Sequence, residues 1–95
     1  MIVGILKVHL ILAGNHSLKG KRGVLRRIQA RVSHQFNVSV TECGDQDLWQ
    51  SMVLGFGLVG SSRQVVEATL QKVIDFVDDM NLAQVAEFET EFFHC

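Results

Sequence analysis

The residues best suited to binding a ligand form a basic run between Ser17 and Arg31. Six of the nine lysines and arginines of the chain lie in this run. They are Lys19, Lys21, Arg22, Arg26, Arg27 and Arg31. Clustered cations bind polyanions because contacts with phosphates release condensed counterions, and such contacts carry little information about base sequence. The run therefore predicts phosphate contacts to a polyanion such as RNA, without base readout.

The charge of the chain is divided unevenly along its length. Residues 1–41 contain seven basic residues and no acidic one, a net charge of +7, whereas residues 42–95 contain two basic and ten acidic residues, a net charge of −8. The two halves can neutralise each other within one fold, or the basic half can face a polyanion. The sequence leaves both interpretations open.

The start of the basic run offers a second candidate anion site. His16 and Ser17 precede the free backbone amides of a predicted helix, and Lys19, Lys21 and Arg22 surround that end. Amides and the helix dipole favour a phosphate there. No Walker or GxGxxG motif accompanies this site, so no nucleotide is predicted.

A third candidate is the sheet face that no helix is expected to cover. We expect this face to present Val3, Ile5, Lys7, His9, Ser51, Val53, Gly55 and the glutamates Glu87, Glu89 and Glu91. Cross-strand ion pairs explain the charged members. An acid–base pair of His9 with a glutamate is a further interpretation, but no nucleophile or oxyanion hole accompanies it, so we predict no catalytic residue and no enzyme. The apolar and small members favour a homodimer interface, which is the alternative to RNA binding.

Other kinds of site are disfavoured. Cys43 and Cys95 form no CxxC pair and have no histidine pair at zinc-ligand spacing, so we predict no metal and no cofactor. Both are expected at the ends of opposite edge strands, too far apart for an intramolecular disulfide. The chain has one tryptophan, Trp49, and no tyrosine, which disfavours base stacking on the sheet face. We expect Trp49 to anchor either the hairpin or a partner.

Length and composition limit the class of protein. A chain of 95 residues with 47% hydrophobic and 20% charged residues predicts a single globular domain over residues 1–95. The apolar N-terminus lacks a basic region before it and is interrupted by Lys7 and His9, so neither a signal peptide nor a membrane span is predicted. Together with unpaired cysteines, these features predict a cytoplasmic protein with no membrane partner.

Hydrophobic periodicity predicts six elements in the order βαββαβ. These are a strand over residues 2–13, a helix from the N-cap Ser17 to about Gln35, a strand over residues 37–43, a strand from about Leu48, a helix from the N-cap Ser61 with a capping box to Gln64 and an end near Met80, and a strand over residues 82–95. This order is that of the ferredoxin-like α+β sandwich. We therefore predict a four-stranded antiparallel sheet in the order 4-1-3-2 with two helices on one face.

The predicted basic helix has two faces. Its apolar positions are Leu18, Val24, Leu25, Ile28, Val32 and Phe36, and they should contact the sheet. Lys19, Arg22 and Arg26 follow an i, i+3, i+7 line beside them. Gly20 and Gly23 each cost such a helix about 1 kcal/mol relative to alanine. Packing must therefore supply the stability of this helix.

Four spaced motifs resemble those of the bacterial YlxP-like family, in the same order and across the whole chain. They are HSLKGKR at residues 16–22, FNVSV at 36–40, QDLWQ at 46–50 and LGFG at 54–57. The resemblance implies a ferredoxin-like domain without assigned enzymatic activity, from a family often encoded beside translation and ribosome-maturation genes. Association with RNA or ribosomes is what that neighbourhood implies, so we expect the partner of the basic run to be structured RNA or a ribosomal precursor. Family members tend to carry an acidic and a larger basic or polar residue where this chain has Gly20 and Gly23.

Overall fold

Alternating apolar residues place one side of the sheet beneath both helices. The computed structural model describes all residues from Met1 to Cys95. Its elements are β1 (Ile2–Ile11), α1 (Leu18–Gln35), β2 (Ser39–Gly44), β3 (Ser51–Gly60), α2 (Arg63–Asp79) and β4 (Gln84–His94). All neighbouring strands are antiparallel, and the sheet has the order β2-β3-β1-β4. The predicted ferredoxin-like α+β architecture and strand order are confirmed.

The core lies between the two central strands and the helices. The largest fully buried side chains include Leu6 and Leu10 of β1 and Met52, Leu54 and Phe56 of β3. Complete burial of such a side chain contributes about 1.5–3 kcal/mol. The two helices contribute unequally to this core. The buried positions of α2 are Val66, Leu70, Val73, Ile74 and Val77, whereas those of α1 are Lys21, Ile28 and Val32.

Two glycines allow the first turn of α2 to lie close to the sheet. A Cβ atom added to Gly4 or to Gly60 would overlap the methyl groups of Val66. Val66 itself is fully buried. The absence of side chains at these two strand positions therefore sets how deeply α2 packs.

The observed ends of the helices agree in part with the predicted ones. Ser17 is the N-cap of α1, and its hydroxyl accepts a hydrogen bond from the backbone amide of Gly20 at 3.0 Å. Asn81 adopts the left-handed conformation after α2, with φ of 54°, as predicted. The predicted capping box is wrong, because α2 begins one residue later, with Ser62 as its N-cap and no side-chain cap hydrogen bond.

The strands β1 and β3 are shorter than predicted. β1 ends at Ile11, and β3 begins at Ser51 rather than near Leu48. The segment between β2 and β3 is therefore a loop over residues 45–50, which we call the hairpin loop. Neither helix is long and apolar enough to cross a membrane.

Candidate nucleic-acid interface

Five of the six predicted phosphate contacts lie on the surface of α1. Their side chains are exposed, and they are Lys19, Arg22, Arg26, Arg27 and Arg31. No carboxylate lies within 4.0 Å of any of their charged nitrogens, since the ion pairs of the molecule all involve other cations. Between Lys19 and Arg31 the helix rises about 18 Å. The five residues are thus exposed cations without an ion-pair partner, and we call them the α1 cations.

The acidic second half of the chain does not neutralise this surface. The acidic residues of α2 are exposed, and they are Glu67, Asp75, Asp78 and Asp79. Their one ion pair joins Glu67 to Arg63 of the same helix at 3.6 Å. Two of the three acids of β4 lie close to β1 side chains, since Glu89 Oε1 is 3.9 Å from Lys7 Nζ and Glu87 Oε1 is 3.7 Å from His9 Nδ1. The exposed acids of α2 and β4 thus form no ion pair with the α1 cations.

Lys21 is the exception among the six. Its residue surface is 2% exposed. Its ammonium donates hydrogen bonds to the backbone oxygens of Asp45 at 2.5 Å and Leu48 at 2.8 Å, and it lies 3.2 Å from Glu42 Oε2. The expectation that Lys21 contacts a phosphate is therefore corrected. The hairpin loop presents carbonyl oxygens that have no partner within the sheet, and a buried ammonium satisfies them.

The N-terminal end of α1 is occupied in part by the chain itself. Ser17 already accepts the amide of Gly20, and the side-chain amide of Asn15 donates to the backbone oxygen of Ser17 at 2.9 Å. Lys21 turns away from this end toward the hairpin loop. Of the cations predicted for an anion site here, Lys19 and Arg22 remain exposed.

The hairpin loop is fixed to the start of α1 from two sides. The buried ammonium of Lys21 donates hydrogen bonds to carbonyl oxygens of this loop. The side-chain amide of Asn15 donates to Trp49 O at 2.5 Å, and Gln50 Nε2 donates to Asn15 O at 3.1 Å. Leu48 and Trp49 are nevertheless 53% and 52% exposed. Sequence reasoning missed this anchoring, because Lys21 resembles its basic neighbours and nothing in the spacing indicates that it is buried.

The predicted pairing of His9 with a glutamate is present, with two further partners. His9 Nδ1 lies 3.7 Å from Glu87 Oε1, and His9 Nε2 lies 2.6 Å from Ser51 Oγ. Ser51 in turn donates its hydroxyl proton to Asp45 Oδ2 at 2.7 Å. Because that proton goes to a carboxylate, which can only accept, His9 Nε2 is the donor to Ser51 and does not act as its base. The cluster joins β1, β3 and the hairpin loop.

The uncovered face of the sheet carries the predicted mixture of apolar, small and charged residues. Ile5, Val59 and Phe93 are 41%, 62% and 46% exposed. Register places Val3 between Val59 and Phe93 on this face. A shallow groove of about 430 Å³ runs beside them, and its lining includes Ile5, Lys7, Thr41, Gly55, Gly57 and Glu89. This surface is suited to packing against a flat partner.

Comparison with solved structures supports the fold. A de novo designed protein, Foldit4, aligns over 100% of this chain and 99% of its own with a TM-score of 0.55 and 11% identity. A mutant of SnoaB, a cofactor-independent oxygenase from Streptomyces nogalater, aligns over 99% of this chain and 92% of its own with a TM-score of 0.50 and 13% identity. At such low identity these likenesses show a shared fold alone.

Comparison by sequence is more specific. The uncharacterized protein YlxP of Bacillus subtilis (strain 168) is 40% identical over 92 residues, which is 97% of this chain and 100% of that protein. The resemblance carried by the four motifs is thereby confirmed. Residues 3–90 also match the family described as protein of unknown function (DUF503), and the chain belongs to that family.

Proposed function

We propose that this protein is a non-enzymatic protein that binds structured RNA or a ribosomal precursor through the α1 cations. The observation that carries the proposal is that all five side chains are exposed and that none has a carboxylate within 4.0 Å. The basic and acidic halves of the chain pair at Lys7 with Glu89 and at Lys21 with Glu42, but the five α1 cations have no such partner. They instead remain free to displace the counterions of a phosphate backbone.

The distribution of charge favours one orientation of such a partner. The exposed acids of α2 and β4 repel a polyanion, so a phosphate backbone would follow α1 and avoid the neighbouring helix. Contacts of this kind position the protein and read shape, without reading base edges. Five phosphate contacts give a limiting slope of log K against log salt of roughly −3.5 to −4.5.

A charge-reversal experiment tests this proposal. Arg26→Glu should weaken binding to a ribosomal RNA fragment strongly at low salt, and Arg22→Glu together with Arg26→Glu should abolish it. Lys72→Glu is the matched control, because Lys72 is an exposed and unpaired cation on α2 and its reversal changes the net charge by the same amount. Binding that does not depend on salt, or no binding at low salt, would contradict the proposal.

The uncovered sheet face supports a second candidate function, a homodimeric interaction module without a nucleic-acid role. Its specific observation is the exposure of Ile5, Val59 and Phe93 beside the 430 Å³ groove. Sedimentation analysis across a range of protein concentrations tests it. A dimer that Val59→Arg converts to a monomer supports this function, and a strict monomer at high concentration excludes it.

A further inference from the structure

We propose that Trp49 is a stacking platform for an unpaired base, so that the protein recognises RNA in which a single-stranded nucleotide adjoins a phosphate-lined helix. This inference rests on the proposed RNA-binding function and specifies its partner. The sequence predicts phosphate contacts without base readout, so stacking of a base on Trp49 is an additional contact. Trp49 is exposed, its loop is held by hydrogen bonds, and that loop lies against the first turns of α1.

Trp49 is exposed in a loop that is held in place. Its residue surface is 52% exposed, although tryptophan carries a large apolar ring. The backbone on both sides is nevertheless fixed, because Leu48 O accepts a hydrogen bond from buried Lys21 and Trp49 O accepts one from Asn15. A loop ordered before binding loses little conformational entropy when a ligand arrives. The exposed ring is therefore presented to solvent from a prearranged backbone.

The hairpin loop lies directly against the first turns of the basic helix. Both residues that anchor it, Asn15 and Lys21, belong to the start of α1 or to the segment just before it. Arg22 lines a small cavity of about 200 Å³ between α1 and this loop, together with Gln46 and the acids Glu42 and Asp47. A phosphate held by the exposed cations at this end of α1 thus places its adjoining nucleotides beside the loop.

An aromatic ring beside cations is the combination that proteins use to bind single-stranded nucleic acid. The cations follow the backbone, and the ring stacks on a base of any identity. The other half-exposed aromatic residues, Phe88 and Phe93, lie on β4, at the opposite edge of the sheet from β2. Among the half-exposed aromatic side chains, Trp49 is therefore the one that lies beside the start of α1. Asp47 lines the surface beside Trp49, so the phosphates of the partner would follow the exposed Lys19 and Arg22 of α1 while an unpaired base reaches the ring.

Trp49 is also the sole tryptophan of the chain, so its fluorescence reports on this site alone. Two RNA hairpins of equal length serve as probes, one fully paired in its stem and one with a bulge of unpaired bases, together with inorganic polyphosphate. We expect the bulged RNA to quench the fluorescence and polyphosphate to bind without quenching. Trp49→Ala should weaken the bulged RNA on the order of tenfold and the paired RNA little, and Trp49→Phe should restore part of the loss. Phe88→Ala is the control for loss of an exposed aromatic ring, since Phe88 is 49% exposed and lies on β4.

The possible failures separate the inference from the proposed function. If Arg26→Glu abolishes RNA binding while Trp49→Ala leaves it unchanged and no quenching occurs, the stacking role is overturned and the role of α1 stands. If neither RNA binds at low salt, both are overturned. If Trp49→Ala instead abolishes capture of a protein while RNA affinity is intact, the loop docks a protein and the inference is again overturned. Thermal unfolding of each variant confirms that it is folded.

Discussion

The ammonium of Lys21 lies 3.2 Å from Glu42 Oε2, and the two groups are 3% and 21% exposed at their side chains. Glu42 Oε2 is buried and accepts no hydrogen bond, so the positive charge of Lys21 compensates the negative charge of this carboxylate. The same ammonium holds carbonyl oxygens of the hairpin loop. One buried cation therefore stabilises a strand, a loop and a helix together.

Replacing Lys21 with methionine should be strongly destabilising. Breaking a buried ion pair by removing one partner leaves an uncompensated charge and typically costs about 3–5 kcal/mol, and because Glu42 is partly exposed we expect about 3 kcal/mol for Lys21→Met. Urea denaturation measures this as a lower free energy of unfolding. Lys19→Met, at an exposed position of the same helix, should stay within about 0.5 kcal/mol of the parent.

A double substitution separates lost charge from lost packing. Lys21→Met combined with Glu42→Gln removes both charges, so it should be more stable than Lys21→Met alone. Equal costs for Lys21→Met and Lys19→Met would mean that neither the ion pair nor the loop hydrogen bonds of Lys21 contribute to stability.

The two glycines of α1 should respond in different ways to alanine. A Cβ at Gly23 would meet open space, so Gly23→Ala should raise the free energy of unfolding by about 0.5–1 kcal/mol through higher helix propensity. A Cβ at Gly20 would overlap Asn15 Oδ1 and displace the amide that holds Trp49 O. Gly20→Ala should therefore yield no gain. Chemical denaturation of both variants checks this, and an equal gain at the two positions would show that the Asn15 contact is unimportant.

The fold followed from the sequence because its determinants are local. Leu6, Val8 and Leu10 alternate along β1, and period 2 assigns them to one buried face whatever the tertiary structure. The N-cap of α2 is one residue later than predicted, since Ser61 and Ser62 have the same capping propensity and the spacing of Ser61 and Gln64, which favours a capping box, is not used.

The site followed from the sequence less completely, because its exceptions depend on distant parts of the chain. Lys21 has the same residue type as Lys19, and it is buried because the hairpin loop, 24 to 27 residues away, supplies carbonyl oxygens. The hydrogen bond of Ser51 to Asp45 likewise depends on how that loop folds back. A helical wheel assigns positions to faces, but it does not show which face a loop from elsewhere will cover.

Gly4 should not tolerate a side chain. Gly4→Ala would push a Cβ into a methyl group of Val66, and overpacking of this kind costs about 1–3 kcal/mol. Val66→Ala in the same chain removes the methyl groups that clash, so the two substitutions together should cost less than the sum of each alone. Gly57→Ala is the matched control, because its Cβ would have only Gly4 O within 4 Å, at 3.9 Å. Thermal unfolding measures all four variants, and additive costs would contradict the proposed contact.

The salt dependence of RNA binding should distinguish exposed from buried cations on α1. Arg22→Gln removes one exposed phosphate contact, so the slope of log K against log salt should become shallower by about 1. Lys21→Met removes a cation of equal charge that is enclosed by the hairpin loop and Glu42. Under conditions where circular dichroism shows that this variant is folded, it should therefore keep the parent slope. A shallower slope for Lys21→Met would mean that its ammonium leaves the loop to contact the phosphate, and an unchanged slope for Arg22→Gln would mean that the exposed face of α1 is not where RNA binds.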